Sequence, residues 1–588
     1  MSGQFDLGFA DGKTMIEYAP TSPTGYIYKA NILSMYGQHN SAIEIYDEGF
    51  KLVQSYQHKE IEALKVGKHL ADEQFQKRFD PVHILPTEIT NKIFSLLPQK
   101  ELVNSMQVSS LWRGHILHCG DAWCDLLVEG GPDDVTLARV TPSIVLGTAY
   151  MRSYIAPTTT ALWQIRSTLT SFHIDIDSNE NGITIAEILS SCSNLSDLFY
   201  STACPLSTQS TDFTLLEENH LYNLINLKIK SSSITESDIE RILKRCPKIR
   251  RLLMNGCDDI SILNTVDRLT SPNLEILGFN HPDNTTFPIP ELNKETTTTT
   301  AIKKDAGLRV LYTNNDGTVF PASAILPLIY KSRTTLEDLV VNMSDVSPEE
   351  LQQFKTQYPN FRLPNLTSLV TWPFRGIQDI IMPFIRYSTK LETLYTINVY
   401  DMDELINALM DMVTPLTDLT ISFPHRITAE FVRLFENYAR LSIEAQSSLE
   451  YIKLRHFEEI TDQTLAIFGN IKTLRKINFE ELNNVSADGV LNLIKQLEQR
   501  LTYVRLAEME IVDDGMINYL SNIEDLTFMK LNGLKNVTDQ GIRAVVDKKS
   551  NLTSFELEVT NCPLVTEECI SYAKQNLKKF SCTYELYN

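Results

Sequence analysis

Along the C-terminal two thirds of the chain, apolar residues recur in a short spaced pattern, L-x-x-L-x-L. It starts at Leu169, returns at Leu195, Leu224 and Ile249, and continues to Leu526, Leu552 and Leu577. There are sixteen such starts, and seven of the fifteen intervals between them are 25 residues long. Within each unit the second and third apolar positions alternate with polar ones, the period of a strand with one face turned inward. Each strand is followed by an amphipathic helical stretch, as in ITDQTLAIFGN (Ile460–Asn470) and VTDQGIRAVVD (Val537–Asp547), where Thr461 and Thr538 are placed to cap the helix. The N-terminal 165 residues lack this period. They carry helical stripes instead.

One strand–helix unit cannot bury its own apolar face, whereas stacked units can. Sixteen units at a near-constant period therefore predict a leucine-rich-repeat solenoid over residues 166–588, an α/β fold. With strands about 4.8 Å apart, sixteen of them would line a concave surface on the order of 70 Å along its arc. Two longer intervals, 34 and 33 residues, must hold insertions. The five threonines from Thr296 read as a solvated loop.

In residues 1–80, the stretch Tyr26–Phe50 pairs two helical stripes about a turn at Gly37–Asn40. Small residues stand where two helices must approach: Ala30 with Leu33 on the first, Ala42, Tyr46 and Gly49 on the second. This pair is similar to one tetratricopeptide repeat, and its alternative is an ordinary helical hairpin. Ala19–Pro23 reads as the junction from an earlier repeat of which little remains, and a long helix from Lys51 to Phe79 would cap the pair.

Residues 81–128 pack three short amphipathic helices into a segment too small to hide its apolar side chains. Pro86 opens the first helix, Ile89, Ile93, Leu96 and Leu97 follow at helical spacing, and Pro98 ends it. Leu102, Val103 and Met106 mark a second helix, and Ser109 caps a third that carries Trp112 and Ile116. Such a surplus calls for a partner that covers it. The stretch ILPTEITNKIFSLLPQKELVNSMQVSSLWR, with the later Trp123, resembles an F-box across all three helices. The resemblance implies binding to the SKP-type adaptor of cullin–RING ubiquitin ligases. It implies an adaptor-binding face formed or supported by Leu85, Pro86, Ile89, Ile93, Phe94, Leu97, Leu102, Val108 and Trp112. Residues 129–165 would link it to the solenoid or cap the solenoid.

The order of the three parts resembles the fungal TPR–F-box–LRR proteins. That implies a non-catalytic substrate-recognition subunit of an SCF-type ubiquitin ligase, in the nucleus or cytoplasm, with a role in nuclear replication and genome maintenance. The alternative is a scaffold that directs no ubiquitination.

Composition narrows the remaining classes. A formal net charge of −21 argues against general nucleic-acid binding. No apolar run approaches the ~18–20 residues of a membrane span, and the N-terminus lacks a secretory signal pattern, so no membrane partner is expected. Nine scattered cysteines suit reduced thiols. His115, His118, Cys119 and Cys124 match no zinc knuckle, and no phosphate loop, nucleophile elbow or HExxH motif occurs, so neither catalytic residues nor a cofactor is expected. Cys246 and Cys562 each precede a proline, read as the end of a repeat helix, and are expected in the core. The basic group Lys244, Arg245, Lys248, Arg250 and Arg251 reads as a solvated helix end, with a nuclear-import signal as its alternative. On the last strands, Lys453, Asn478, Arg505, Lys530 and Glu556 align in one outward column, beside Tyr451, Arg455, Lys476, Tyr503 and Phe528. As a cationic and aromatic patch, this would grip an acidic or phosphorylated peptide substrate; solvated strand residues without a ligand are the alternative.

Overall fold

A computed structural model of the chain describes residues 2–53, 58–76, 81–97, 99–119, 125–128, 148–152, 169–176, 184–202, 221–231, 234–257, 259–269, 273–280, 307–313, 319–373, 375–424, 430–444 and 449–583. It divides into two compact units, Met1–Trp123 and Cys124–Asn588. The threonine run, Cys124 and Pro98 lie outside the described residues, as does Trp123.

The first unit opens with four helices: α1 (Ser2–Tyr18), α2 (Pro23–Met35), α3 (His39–Leu52) and α4 (His58–Gln76). Each packs on its neighbour in sequence. Their core is Tyr26, Ala30, Leu33, Ala42, Tyr46, Leu64 and Ala71. Small residues let the helices approach: a Cβ on Gly49 would stand 3.0 Å from the Cβ of Tyr26. The Tyr46 hydroxyl donates to Asn31 Oδ1 at 2.7 Å, so the buried ring keeps a polar partner. Before the junction Ala19–Pro23 a single 17-residue helix lies on α2. The helix expected from Lys51 to Phe79 is broken, because Val53 leaves the helical region (φ −78°, ψ 135°) and α4 starts afresh at His58.

Four short helices complete this unit: α5 (Pro81–Ile84), α6 (Thr87–Ser95), α7 (Gln99–Ser105) and α8 (Ser110–His118).

Among the described residues, the second unit is an eighteen-stranded parallel sheet whose strands pair in chain order, with a helix in most crossovers. Sixteen strands, Ser171–Ile176 through Lys579–Thr583, follow the repeat pattern. Two more, Asp125–Val128 and Thr148–Arg152, precede them and extend the same sheet. The sequence pattern did not reveal these two. Fifteen of the sixteen predicted start residues are buried. Leu552 is the exception, 39% exposed. Its strand begins two residues late, because Phe528 pairs with Glu556 and Lys530 with Glu558. A slip of two keeps the same side chains inside, so the alternation alone could not report it.

The inward side chains meet the helices in a continuous aliphatic and aromatic layer. At the ends of seven successive strands, from Thr393–Ile397 to Glu556–Thr560, the chain turns through a left-handed residue: Asn398, Phe423, His456, Glu481, Glu508, Gly533 and Asn561 all have φ between 51° and 61°. Such a conformation costs bulky residues on the order of 1–2 kcal/mol. A second ladder offsets it, because each of these amides donates to the carbonyl ending the next strand, as Phe423 does to Arg455 and His456 to Glu480.

A carboxylate clamp joins successive helices. Asp462 accepts from the Ser486 amide and hydroxyl at 2.8 and 2.6 Å, and these hydrogen bonds hold its carboxyl below the usual range. Asp539 does the same for Thr566. Asp514 accepts from the Thr538 amide, the Thr538 hydroxyl and the Gly541 amide at 2.8, 2.5 and 3.1 Å. Asp514→Ala orphans these helix-start donors, so chemical denaturation should show a loss of about 2 kcal/mol.

Candidate functional site

In the first unit, α6 divides the predicted face into two sets. Thr90 and Phe94 point into the small core with Leu102, Met106 and Ile116. The Phe94 ring meets Trp112 edge-on at 5.7 Å, and the half-buried Trp112 braces α8 against α6. Ser109 accepts from the Trp112 amide at 3.1 Å, capping α8 as its sequence predicts. Ile89, Ile93 and Leu96, at spacings of four and three, form a stripe on the opposite side, 50%, 42% and 72% exposed. Ile84, Val108 and Leu111 are also exposed, and so is Pro86; Leu85 and Leu97 are half-buried. Of the residues singled out from sequence, Ile89, Ile93, Pro86 and Val108 are therefore open to a partner, while Phe94 and Leu102 are not. Leu96 has the largest exposure of the stripe and was passed over for the adaptor face. Its place three residues after Ile93 was the available signal. Cys119 is buried, its thiol directed at the Asn91 carbonyl. No group of three His, Cys, Asp or Glu suited to a metal occurs among the described residues.

In the second unit, the sheet face away from the helices has two chemistries. Over its middle strands, Leu253, Ile276, Val310, Tyr312, Val340 and Val370 occupy outward positions yet are almost fully buried, with Trp372 and Tyr395 packed against them. Their strands read as unbroken apolar runs such as ILGF and VLYT, the pattern of a strand covered on both faces. That signal was present in the sequence.

Farther along, one outward column runs Thr420, Lys453, Asn478, Arg505, Lys530 and Glu558. Glu558 takes the place expected for Glu556, which stands in the neighbouring row beyond Phe528. That row holds Tyr451, Lys476, Tyr503 and Phe528. The Tyr503 and Phe528 rings stack at 4.7 Å, and Tyr451 meets Tyr503 edge-on at 5.9 Å.

The patch is less cationic than its sequence suggests. Glu480 forms ion pairs with both Arg455 and Arg505, at 2.9 and 2.7 Å, and Glu558 pairs with Lys530 at 2.6 Å. Glu480 ends its strand, outside the L-x-x-L-x-L window, which is why the pattern missed it. Arg505 also donates to Asn478 Oδ1, and Asn478 donates to the Tyr451 hydroxyl at 2.9 Å. Burial pushes the Lys453 ammonium down to about 8; Arg505, Arg455 and Lys530 add to the shift and Glu480 opposes it.

Other predicted positions have structural partners. Burial raises the Cys246 and Cys562 thiols to about 12 and about 11, so neither is poised to react. In the basic group, Lys244 pairs with Glu240 and Arg250 with Glu275. Among the described residues no helix is long and apolar enough to cross a membrane.

Residues 82–128 match the F-box-like family model. The F-box/TPR repeat protein pof3 of Schizosaccharomyces pombe (strain 972 / ATCC 24843) is 28% identical over 127 residues, which is 21% of this chain. The match spans about a fifth of that relative's length, 22%. Among solved structures, the Rad7 and Elc1 complex of yeast aligns with 86% of this chain and 98% of its own, at 13% identity and a TM-score of 0.39. The complex of TLR13 with ssRNA13 aligns with 74% and 66%, at 14% identity and a TM-score of 0.30. These overlays are loose, and the repeat register described above carries the fold assignment. With the matched helices in the first unit and the register in the second, the chain carries an F-box-like domain ahead of a leucine-rich-repeat solenoid.

Proposed function

We propose that this protein is the non-catalytic substrate receptor of an SCF-type ubiquitin ligase. The observation that carries the reading is the exposed stripe Ile89–Ile93–Leu96 inside the F-box-like match. Three aliphatic side chains left in water at helical spacing are what a partner groove would cover, with a gain of about 1.5–3 kcal/mol for each one fully buried. The SKP-type adaptor is the partner that an F-box implies. Leu85, Pro86, Leu97 and Val108 border the contact, while Phe94, Leu102 and Trp112 hold the helices in place. The solenoid's strand face, around Tyr451, Lys453 and Tyr503, binds the protein to be modified. Ubiquitin transfer belongs to the partner enzyme, and this chain contributes proximity by raising the effective concentration of the substrate lysine. A nuclear role in replication and genome maintenance is the finer form of the proposal, and it rests on the resemblance in the order of the three parts alone.

The test is turnover. Proteins captured by the full-length chain should carry less ubiquitin and live longer in cells that express the Ile89→Glu, Leu96→Glu form. Unchanged ubiquitination and half-lives would leave a scaffold instead.

A further inference from the structure

Among the described repeat helices, from Ile185–Ser191 to Glu567–Asn576, each buries apolar residues except Pro348–Gln357, which buries none. Its start is well fixed, because Ser347 and Glu350 form a capping box. Its apolar residues Leu351 and Phe354 nevertheless reach only half-burial. Between it and the helices Ala322–Lys331 and Arg375–Arg386 opens a cavity of about 230 Å³. Leu326, Ile380 and Pro383 supply its aliphatic walls, and Phe354, Tyr358 and Phe361 its aromatic ones.

The aromatic wall is fixed from behind. Phe361 meets the fully buried Phe384 edge-on at 4.8 Å, and Tyr330 stands 5.3 Å from Phe361 and 4.9 Å from Tyr358. Asn360 makes the turn that brings Phe361 to 5.9 Å from Tyr358; its φ of 55° is a left-handed conformation that asparagine tolerates. Charge around the cavity is uneven. Lys355 is balanced by Asp379 at 2.9 Å. Arg362 lines the cavity with its guanidinium 3.9 Å from the centre of the Tyr387 ring, both residues being exposed. Among the described residues no carboxylate lies within ion-pair distance of Arg362. All these residues belong to the helix layer and its connections, across the sheet from Tyr451 and Lys453.

We propose that this cavity seats one aromatic side chain from an acidic segment of a partner protein, with Arg362 pairing a carboxylate beside the ring. Size selects the anchor. An apolar cavity of roughly 150 Å³ takes one benzene, and drug-sized ligands occupy about 300 Å³ or more. A volume of about 230 Å³ suits a single ring carried on a chain. Aromatic walls favour an aromatic guest over an aliphatic one through edge-on and offset contacts. Arg362 is held in place by stacking on Tyr387, so its planar fork is ready for a carboxylate.

The test uses the full-length chain and a capped peptide, acetyl-Asp-Asp-(4-fluorophenylalanyl)-Asp-amide, followed by fluorine NMR titration. Saturable broadening is expected, at an affinity about fivefold higher than that of the analogue with lysines flanking the same ring. A leucine analogue should compete about fivefold less well. Arg362→Glu should reverse the flank preference. Phe354→Ala should weaken binding about tenfold with little change in melting temperature, since its helix adds no buried residue to the core. Absence of a saturable response from the wild-type chain overturns the site. Equal affinity for both flanks, or a preference that Arg362→Glu leaves unchanged, overturns the acidic partner. Equal competition by the leucine peptide overturns the aromatic anchor. Free 4-fluorotoluene binding as tightly as the peptide overturns a protein occupant in favour of a small molecule. Should Phe354→Ala melt early, Arg362→Glu keeps the test decisive, because that side chain is exposed.

Discussion

Replacing Ile89 and Leu96 together by glutamate should abolish recovery of the SKP-type adaptor with the full-length chain while leaving its melting temperature within a degree or two. Both side chains are at least half exposed, so a charge there disturbs little of the folded domain. In a complex the same positions would be buried. Losing two aliphatic contacts removes about 3–6 kcal/mol, and burying an unpaired carboxylate adds to the loss. At about 1.4 kcal/mol per decade, affinity falls at least a hundredfold. Phe94→Ala is the contrasting variant. Phe94 is buried against Trp112, so its truncation should cost about 3–5 kcal/mol of domain stability, and adaptor capture fails because the helices come apart. Leu97 is half-buried, and its truncation would mix the two effects. Recovery of equal adaptor by wild type and the folded Ile89→Glu, Leu96→Glu protein sinks the receptor reading.

The split between Ile89 and Phe94 shows where sequence reasoning stops. A helical stripe of apolar residues says that a face exists, and the motif says which helices carry it. Neither says which side of a thin three-helix core each residue takes, because both sides are apolar. In the solenoid the opposite held. Parity alone placed the inward residues of nearly every strand, since one buried face specifies register strongly. What parity could not see were events that preserve it. The two-residue slip before Glu556 moved a carboxylate by one row without turning any side chain inward. Glu480 escaped for a related reason. It lies at the outward position ending its strand, past the repeat window, and only three-dimensional pairing brings it between Arg455 and Arg505. A patch that reads as cationic along the chain is largely neutralised across the strands. Lys453 stands out only after that neutralisation is counted.

The second large effect is expected at Phe468, beneath this patch. The ring is fully buried on the helix Asp462–Gly469, 4.6 Å from Phe435 on the preceding helix Glu430–Ile443 and 6.4 Å from Phe479 on the strand Lys476–Glu480. Phe435 in turn meets Phe431, which meets Phe457. Phe468→Ala therefore opens a cavity at the joint of three repeats, with an expected cost of about 3–5 kcal/mol, whereas Phe468→Leu keeps most of the volume and should cost far less. In a stack bound mainly by nearest neighbours, such a loss stays local before it becomes global. Hydrogen exchange should quicken at Tyr451–Arg455 and Lys476–Glu480 and remain slow at Phe528–Asn532. Denaturation should separate into two steps. Uniform destabilisation of all strands in a single transition would show instead that the solenoid folds as one cooperative block, with no weak joint under its outward site.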